Sequence, residues 1–228
     1  MTYLRSLLLP IIGLLLICSR PILAQEESSY PYPHYRLYPK DGKVVLCRIG
    51  NEDLEQEVAI KLGDTFGTLK KKFGVPMNSS SLDVAYDTET HEPYSVIQVN
   101  YKNLSFKLSY AAKQILNGDK DEGTISAIIL KGYFNTEMFY GTEDSYIQIS
   151  SHESASNMYD GLKRVIERDE AFFSHLKLDF SRDTLLSMTV KCTNEKYRLI
   201  FVWKNWWEDE EKWKKESGLQ EIELSIFE

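Results

Sequence analysis

Tyr94–Tyr110, YSVIQVNYKNLSFKLSY, reads as two strands folded back on each other. Ile97, Val99 and Tyr101 alternate with other residues before the Lys102-Asn103 pair, and Phe106, Leu108 and Tyr110 alternate after it. A period of two marks strands with one covered face, and a two-residue break is the length of a tight hairpin turn. Leu82–Asp87 before this pair and Thr124–Lys131 after it have strand character too, so four strands form an antiparallel meander. Ahead of them, Asp64–Phe73 (DTFGTLKKKF) spaces Phe66, Leu69 and Phe73 at helical intervals. Asp64 or Thr65 can cap the start of this helix, and Gly74 then Pro76 stop it. Further forward, Lys43–Ile49 (KVVLCRI) follows an Asp41-Gly42 turn as a strand.

The same order returns. Ser145–Ser150 is a strand, and Ser154–His175 contains a longer helix with Met158, Leu162, Val165, Ile166 and Phe172 on one stripe and Ser154 or Ser156 as its cap. Strands follow at Leu176–Ser181, Thr184–Thr193, Lys196–Lys204 and Leu219–Phe227, the middle two again joined by a pair, Asn194-Glu195. LDVAYD echoes LKLDFS, and VNYKNLSFKLSY echoes VKCTNEKYRLIFVW. The expectation is an α+β fold of two similar units, 40–132 and 137–228, each a helix packed on an antiparallel β-meander. Such a meander has one sheet face left for solvent or a partner.

Leu62-Gly63-Asp64-Thr65, then Leu69, then Phe73-Gly74-Val75-Pro76, resembles the signature of small bacterial envelope modules, the BamE/SmpA-like lipoproteins and the β-lactamase-inhibitor-like fold. The match covers about 15 residues and the strand order of the first unit; the second has His152-Glu153-Ser154 before its helix and no G-x-P after it. The order is also similar to cystatin-like folds, although Gln98-Val99-Asn100 lacks the glycine of the cystatin inhibitory loop. Members of these families mostly bind other proteins, so the resemblance implies a binding module or a secreted enzyme inhibitor.

Residues 1–24 have the parts of a secretory signal: Arg5, an uncharged run Leu7–Ile17, and a small-residue approach ending at Ala24. The apolar run is about half the length needed to span a bilayer, and no later run is long enough, so no transmembrane helix is expected after processing. Cys18 after Leu15, Leu16 and Ile17 resembles a lipoprotein signal, but Ile17 is bulky where that pattern wants a small residue, and cleavage before Gln25 is expected instead of a lipid anchor. Residues 25–39, rich in Pro and Tyr, read as an extended leader. The signal holds Arg5 and Arg20 and no acid, so its removal leaves 25 basic against 34 acidic residues and moves the net charge from −7 to −9. An acidic chain repels phosphate backbones, so nucleic acid is not an expected partner. Cys47 and Cys192 are the two cysteines left, either one disulfide closing a long loop or two free thiols.

Catalytic patterns are not found. His34, His91, His152 and His175 share no metal-ligand spacing, and His175 is expected at a helix end as a dipole partner. There is no G-x-S-x-G elbow or Gly-rich phosphate loop, and the carboxylate runs 208–211 and 119–122 read as solvated surface, so no cofactor, metal or catalytic residue is expected. An enzyme would need a site assembled between the two units. Asn78-Ser79-Ser80 and Asn103-Leu104-Ser105 fit the N-glycosylation pattern. All four tryptophans fall in 203–213. Trp203 continues the alternation of Leu199 and Phe201 and belongs with the core, whereas Trp206, Trp207 and Trp213 are either a lid on the sheet or a partner-binding surface. Together these readings point to an exported, non-catalytic protein-binding module of the envelope or secreted space.

Overall fold

The computed structural model describes residues 33–49, 52–86, 93–118, 120–140, 145–168, 172–181, 185–192, 196–204, 214–215 and 218–226. The signal segment with Cys18, and Trp206, Trp207 and Trp213, lie outside the described residues.

Thirteen strands and three helices are described. In chain order they are β1 (His34–Tyr38), β2 (Lys43–Ile49), β3 (Glu52–Lys61), α1 (Phe66–Phe73), β4 (Asn78–Tyr86), β5 (Pro93–Asn100), β6 (Leu104–Ala111), α2 (Ala112–Asn117), β7 (Thr124–Lys131), β8 (Asn135–Phe139), β9 (Tyr146–Ser150), α3 (Ala155–Arg168), β10 (Phe173–Ser181), β11 (Leu185–Cys192), β12 (Tyr197–Lys204) and β13 (Glu221–Ile226). Local physics places most of them as expected. The hairpin β5–β6 turns at Lys102-Asn103, with Val99 opposite Phe106 and Ile97 opposite Leu108. Thr65 caps α1, its Oγ1 accepting from the Thr68 N–H at 3.2 Å. Gly74 closes it at φ +76°, donating to the Lys70 carbonyl at 2.9 Å. Ser154 caps α3 through the Asn157 N–H at 3.3 Å, and Ala155, Met158, Leu162 and Val165 are its buried stripe.

The expected pair of helix-on-meander units is overturned: the fold is dominated by two sheets. Strands β4–β7 and β10–β13 join into one eight-stranded sheet, ordered β10-β11-β12-β13-β7-β6-β5-β4. The seam is the antiparallel pair β7–β13, with Leu130 opposite Ile222 and Ile128 opposite Leu224. The remaining strands form a separate five-stranded sheet, β3-β2-β1-β8-β9, with β1 and β8 parallel. The reason lies in the edges. In two separate units β7 and β13 would each present a row of unpaired backbone groups beside apolar side chains, and pairing them removes both edges. Short α1 and α3 also cannot cover eight strands, so the second sheet supplies the rest of the cover. Residues of both sheets and of α1 and α3 belong to one continuous apolar cluster, including Tyr35, Leu46, Leu69, Phe106, Met138, Leu162, Phe201 and Leu224.

Three further expectations are corrected. The leader reading extends too far, because His34–Tyr38 is β1, which lies between β2 and β8 and buries Tyr35 and Leu37. β3 was not foreseen; its acidic sequence suits an edge strand, where Ile60 alone is fully buried among its described side chains. His175 is not at a helix end. α3 stops at Arg168, and His175 stands in β10 at φ +55°, where the pairing with β11 shifts register. No described helix is long and apolar enough to cross a membrane.

Candidate functional site

A pocket of about 320 Å³ opens beside α1 and α2, lined by Phe66, Pro76, Ser79, Ile97, Val99, Tyr110, Gln114, Gly118 and Lys120. Its floor is the β5–β6 hairpin, whose alternation sends Ile97, Val99 and Tyr110 to one face. Its wall is α1, held at its far end by three rings. Phe73 lies 5.8 Å from both Tyr101 and Phe106, and those two meet edge to face at 5.7 Å. The Tyr101 hydroxyl donates to the Gly74 carbonyl at 3.0 Å, tying the helix end to the hairpin.

The other wall is built by short-range bonds. Tyr110 donates to the Lys120 carbonyl at 2.9 Å, and Gln114 accepts from the Ala111 N–H at 2.9 Å while donating to the Glu122 carbonyl at 3.2 Å. Gly123 is required here, since a Cβ would stand 2.2 Å from the Tyr110 ring. Burial and the nearby Asp121 carboxylate raise the Tyr110 phenol above its ordinary range, so it stays a neutral donor. The pocket is therefore preformed rather than a gap awaiting closure.

Large apolar side chains stand around it in solvent. Val75 and Met77, on either side of Pro76, are 84% and 74% exposed, and Leu116, between Gln114 and Gly118 in sequence, is 86% exposed. These are the three most exposed of the large hydrophobics among the described residues. Single exposed hydrophobics need no explanation, but these three bracket an apolar pocket and extend its apolar surface into solvent. The surroundings carry both signs. The last turn of α1 is Lys70-Lys71-Lys72 and Lys120 sits at the pocket, with Asp121 and Glu122 directly after it in the chain. Lys70 pairs with Asp121, and Lys72 lies 3.8 Å from Asp64.

The structure distributes the sequence-derived candidates differently. Trp203 is fully buried, its indole N–H donating to the Glu153 carbonyl at 2.8 Å. Trp206, Trp207 and Trp213 fall outside the described residues. The possible Cys47–Cys192 disulfide is not formed, and both thiols are free. Cys47 is on β2 of the five-stranded sheet, at a register shift between Leu46 and Arg48, whereas Cys192 is on β11 of the eight-stranded sheet. Burial pushes the Cys192 thiol up to about 12 and raises Cys47 as well, with Arg36 opposing the shift at Cys47. Among the described residues no group of three His, Cys, Asp or Glu side chains could hold a metal ion.

Reading the sequence alone missed this site. Its signal was the pair Val75 and Met77 around a helix-stopping proline, apolar residues outside any periodic element. No protein family, curated protein or solved structure matches this chain.

Proposed function

We propose that this chain is an exported, non-catalytic module that binds another protein, through the pocket beside α1 and α2. The observation that carries the reading is the ring of Val75, Met77 and Leu116, exposed around a preformed apolar cavity. The fitting occupant is a segment with one large apolar side chain for the cavity and apolar neighbours to lie against Val75, Met77 and Leu116. An apolar anchor in a pocket, ringed by contacts that exclude water, is the usual energetic centre of an interface.

Photo-crosslinking residues placed singly at Leu116 and Met77, with Lys177 of β10 as control, test this in cells of the native host. A discrete adduct with a second protein is expected from the first two positions and not from Lys177. Leu116→Glu should remove the Met77 adduct without altering the thermal unfolding of the module. Equal adducts at all three positions, or none, refute the reading. An adduct of twice the chain's own mass shows self-association and replaces the foreign partner.

A further inference from the structure

A second cavity, of about 720 Å³, is separate in its lining and its chemistry. Four segments converge on it: the β5–β6 turn at Lys102-Asn103, the β7–β8 connection Lys131–Tyr133, the β9–α3 connection at Ser151-His152, and Gly218–Glu221 leading into β13. Backbone bonds knit them together. Lys131 N–H donates to the Asn103 carbonyl at 3.1 Å, Gly132 N–H to Gln220 at 3.1 Å, and Ser151 N–H to Phe134 at 3.1 Å. The Glu153 carbonyl accepts from both Leu219 N–H at 3.0 Å and the Trp203 indole at 2.8 Å. Gly218 passes so close that a Cβ would stand 2.7 Å from the Ser151 carbonyl. Such a cleft needs no rearrangement to receive a ligand.

The lining combines cations, hydrogen-bonding groups and a ring. Lys131 is half-buried, and its Nζ lies 2.9 Å from Asn100 Oδ1. That oxygen is a neutral acceptor, shared with Ser105 Oγ at 2.6 Å and Gln98 Nε2 at 2.9 Å, and this bond leaves the ammonium further N–H groups to donate. Lys102 is exposed in the neighbouring turn. Glu221, opposite Lys131 across the β7–β13 seam, is the one acid in the lining. Tyr133 is 58% exposed, with its ring centroid 6.1 Å from that of His152.

We infer that this cleft binds a sugar acid, a hydroxylated ring carrying one carboxylate. The carboxylate lies against Lys102 and Lys131, in charge-assisted hydrogen bonds. The ring rests on the exposed face of Tyr133, as an aromatic side chain offers an apolar body beside polar groups. Glu221 and Asn103 supply acceptors for ring hydroxyls, a role an acid has in a cleft for a polyol but not in one for a bare anion. A net charge of −7 over the chain favours a singly charged ligand over a polyanion.

The test is an amide-resolved NMR titration of the full chain with three probes: glucuronate, glucose and benzoate. Glucuronate is expected to move the resonances of Gly132, Tyr133, His152 and Gly218, and to bind about tenfold more tightly than either other probe, the worth of one charge-assisted bond or of the hydroxyl contacts. Lys102→Gln with Lys131→Gln should bring glucuronate down to the level of glucose. Tyr133→Ala should weaken both sugars. Lys102→Gln alone, at an exposed turn position, serves if the double variant does not fold by thermal unfolding. No shift at these four amides, benzoate equal to glucuronate, glucose equal to glucuronate, or a lysine variant that binds like the parent each overturns the inference. Because the apolar pocket shares no residue with this cleft, none of these results bears on the proposed protein partner.

Discussion

Replacing Trp203 by alanine removes the largest fully buried side chain among the described residues from the core cluster. The ring packs on Phe201 at 6.4 Å, and its indole N–H reaches across to the Glu153 carbonyl just before α3. Truncation of a buried tryptophan costs about 3–5 kcal/mol through lost transfer energy and the cavity left behind. The hydrogen bond adds about 1 kcal/mol at most within that sum. No orphan penalty follows, because the Glu153 carbonyl still accepts from Leu219 N–H. Trp203→Phe, which keeps most of the packing, should therefore lose only about 1–2 kcal/mol. For a chain of this size each kcal/mol lowers Tm by roughly 2–4 °C, so the alanine variant should melt roughly 6–20 °C below the parent. Urea unfolding followed by far-UV circular dichroism, with Tm as a second readout, measures both variants. An alanine variant within about 1 kcal/mol of the parent would falsify the placement of Trp203 in that core. The phenylalanine variant falling as far as the alanine one would show that the bond to Glu153, and not packing, dominates.

Two other outcomes follow from individual sites. Cys192 holds its proton up to about 12 in the folded chain against an ordinary value of 9.0, so the unfolded state binds fewer protons between those values. Stability should then fall as pH rises from about 9 towards 12, with the raised phenols of Tyr101 and Tyr110 acting in the same direction, and Cys192→Ala should flatten part of that slope in unfolding measured across the window. At two glycines alanine should act with opposite sign: Gly161→Ala, inside α3 with nothing within 4 Å of the new Cβ, should stabilise by about 0.5–1 kcal/mol, while Gly218→Ala, against the Ser151 carbonyl, should destabilise by about 1–3 kcal/mol, and equal effects in denaturant unfolding would contradict the geometry.

Features fixed by contacts within a few residues were readable along the chain. The hairpin around Lys102-Asn103 was legible because alternation and a two-residue break are local signals. Both ends of α1 and the start of α3 were legible because Thr65, Gly74 and Ser154 satisfy backbone groups of the adjacent turn. The burial of Trp203 followed from its register with Leu199 and Phe201. Tertiary structure alone decided how the strands were shared out. The pairing of β7 with β13 and of β1 with β8 joins segments about ninety residues or more apart, and nothing in either partner's own pattern names the other. Those two pairings turned the expected units into two sheets with one core, drew His34–Tyr38 out of the leader, and placed Cys47 and Cys192 in different sheets as free thiols. The pocket was hidden for the same reason. Phe66, Ile97 and Tyr110 look like ordinary core residues along the chain, and only the packing of α1 and α2 on the hairpin leaves a cavity between them with Val75, Met77 and Leu116 still in water.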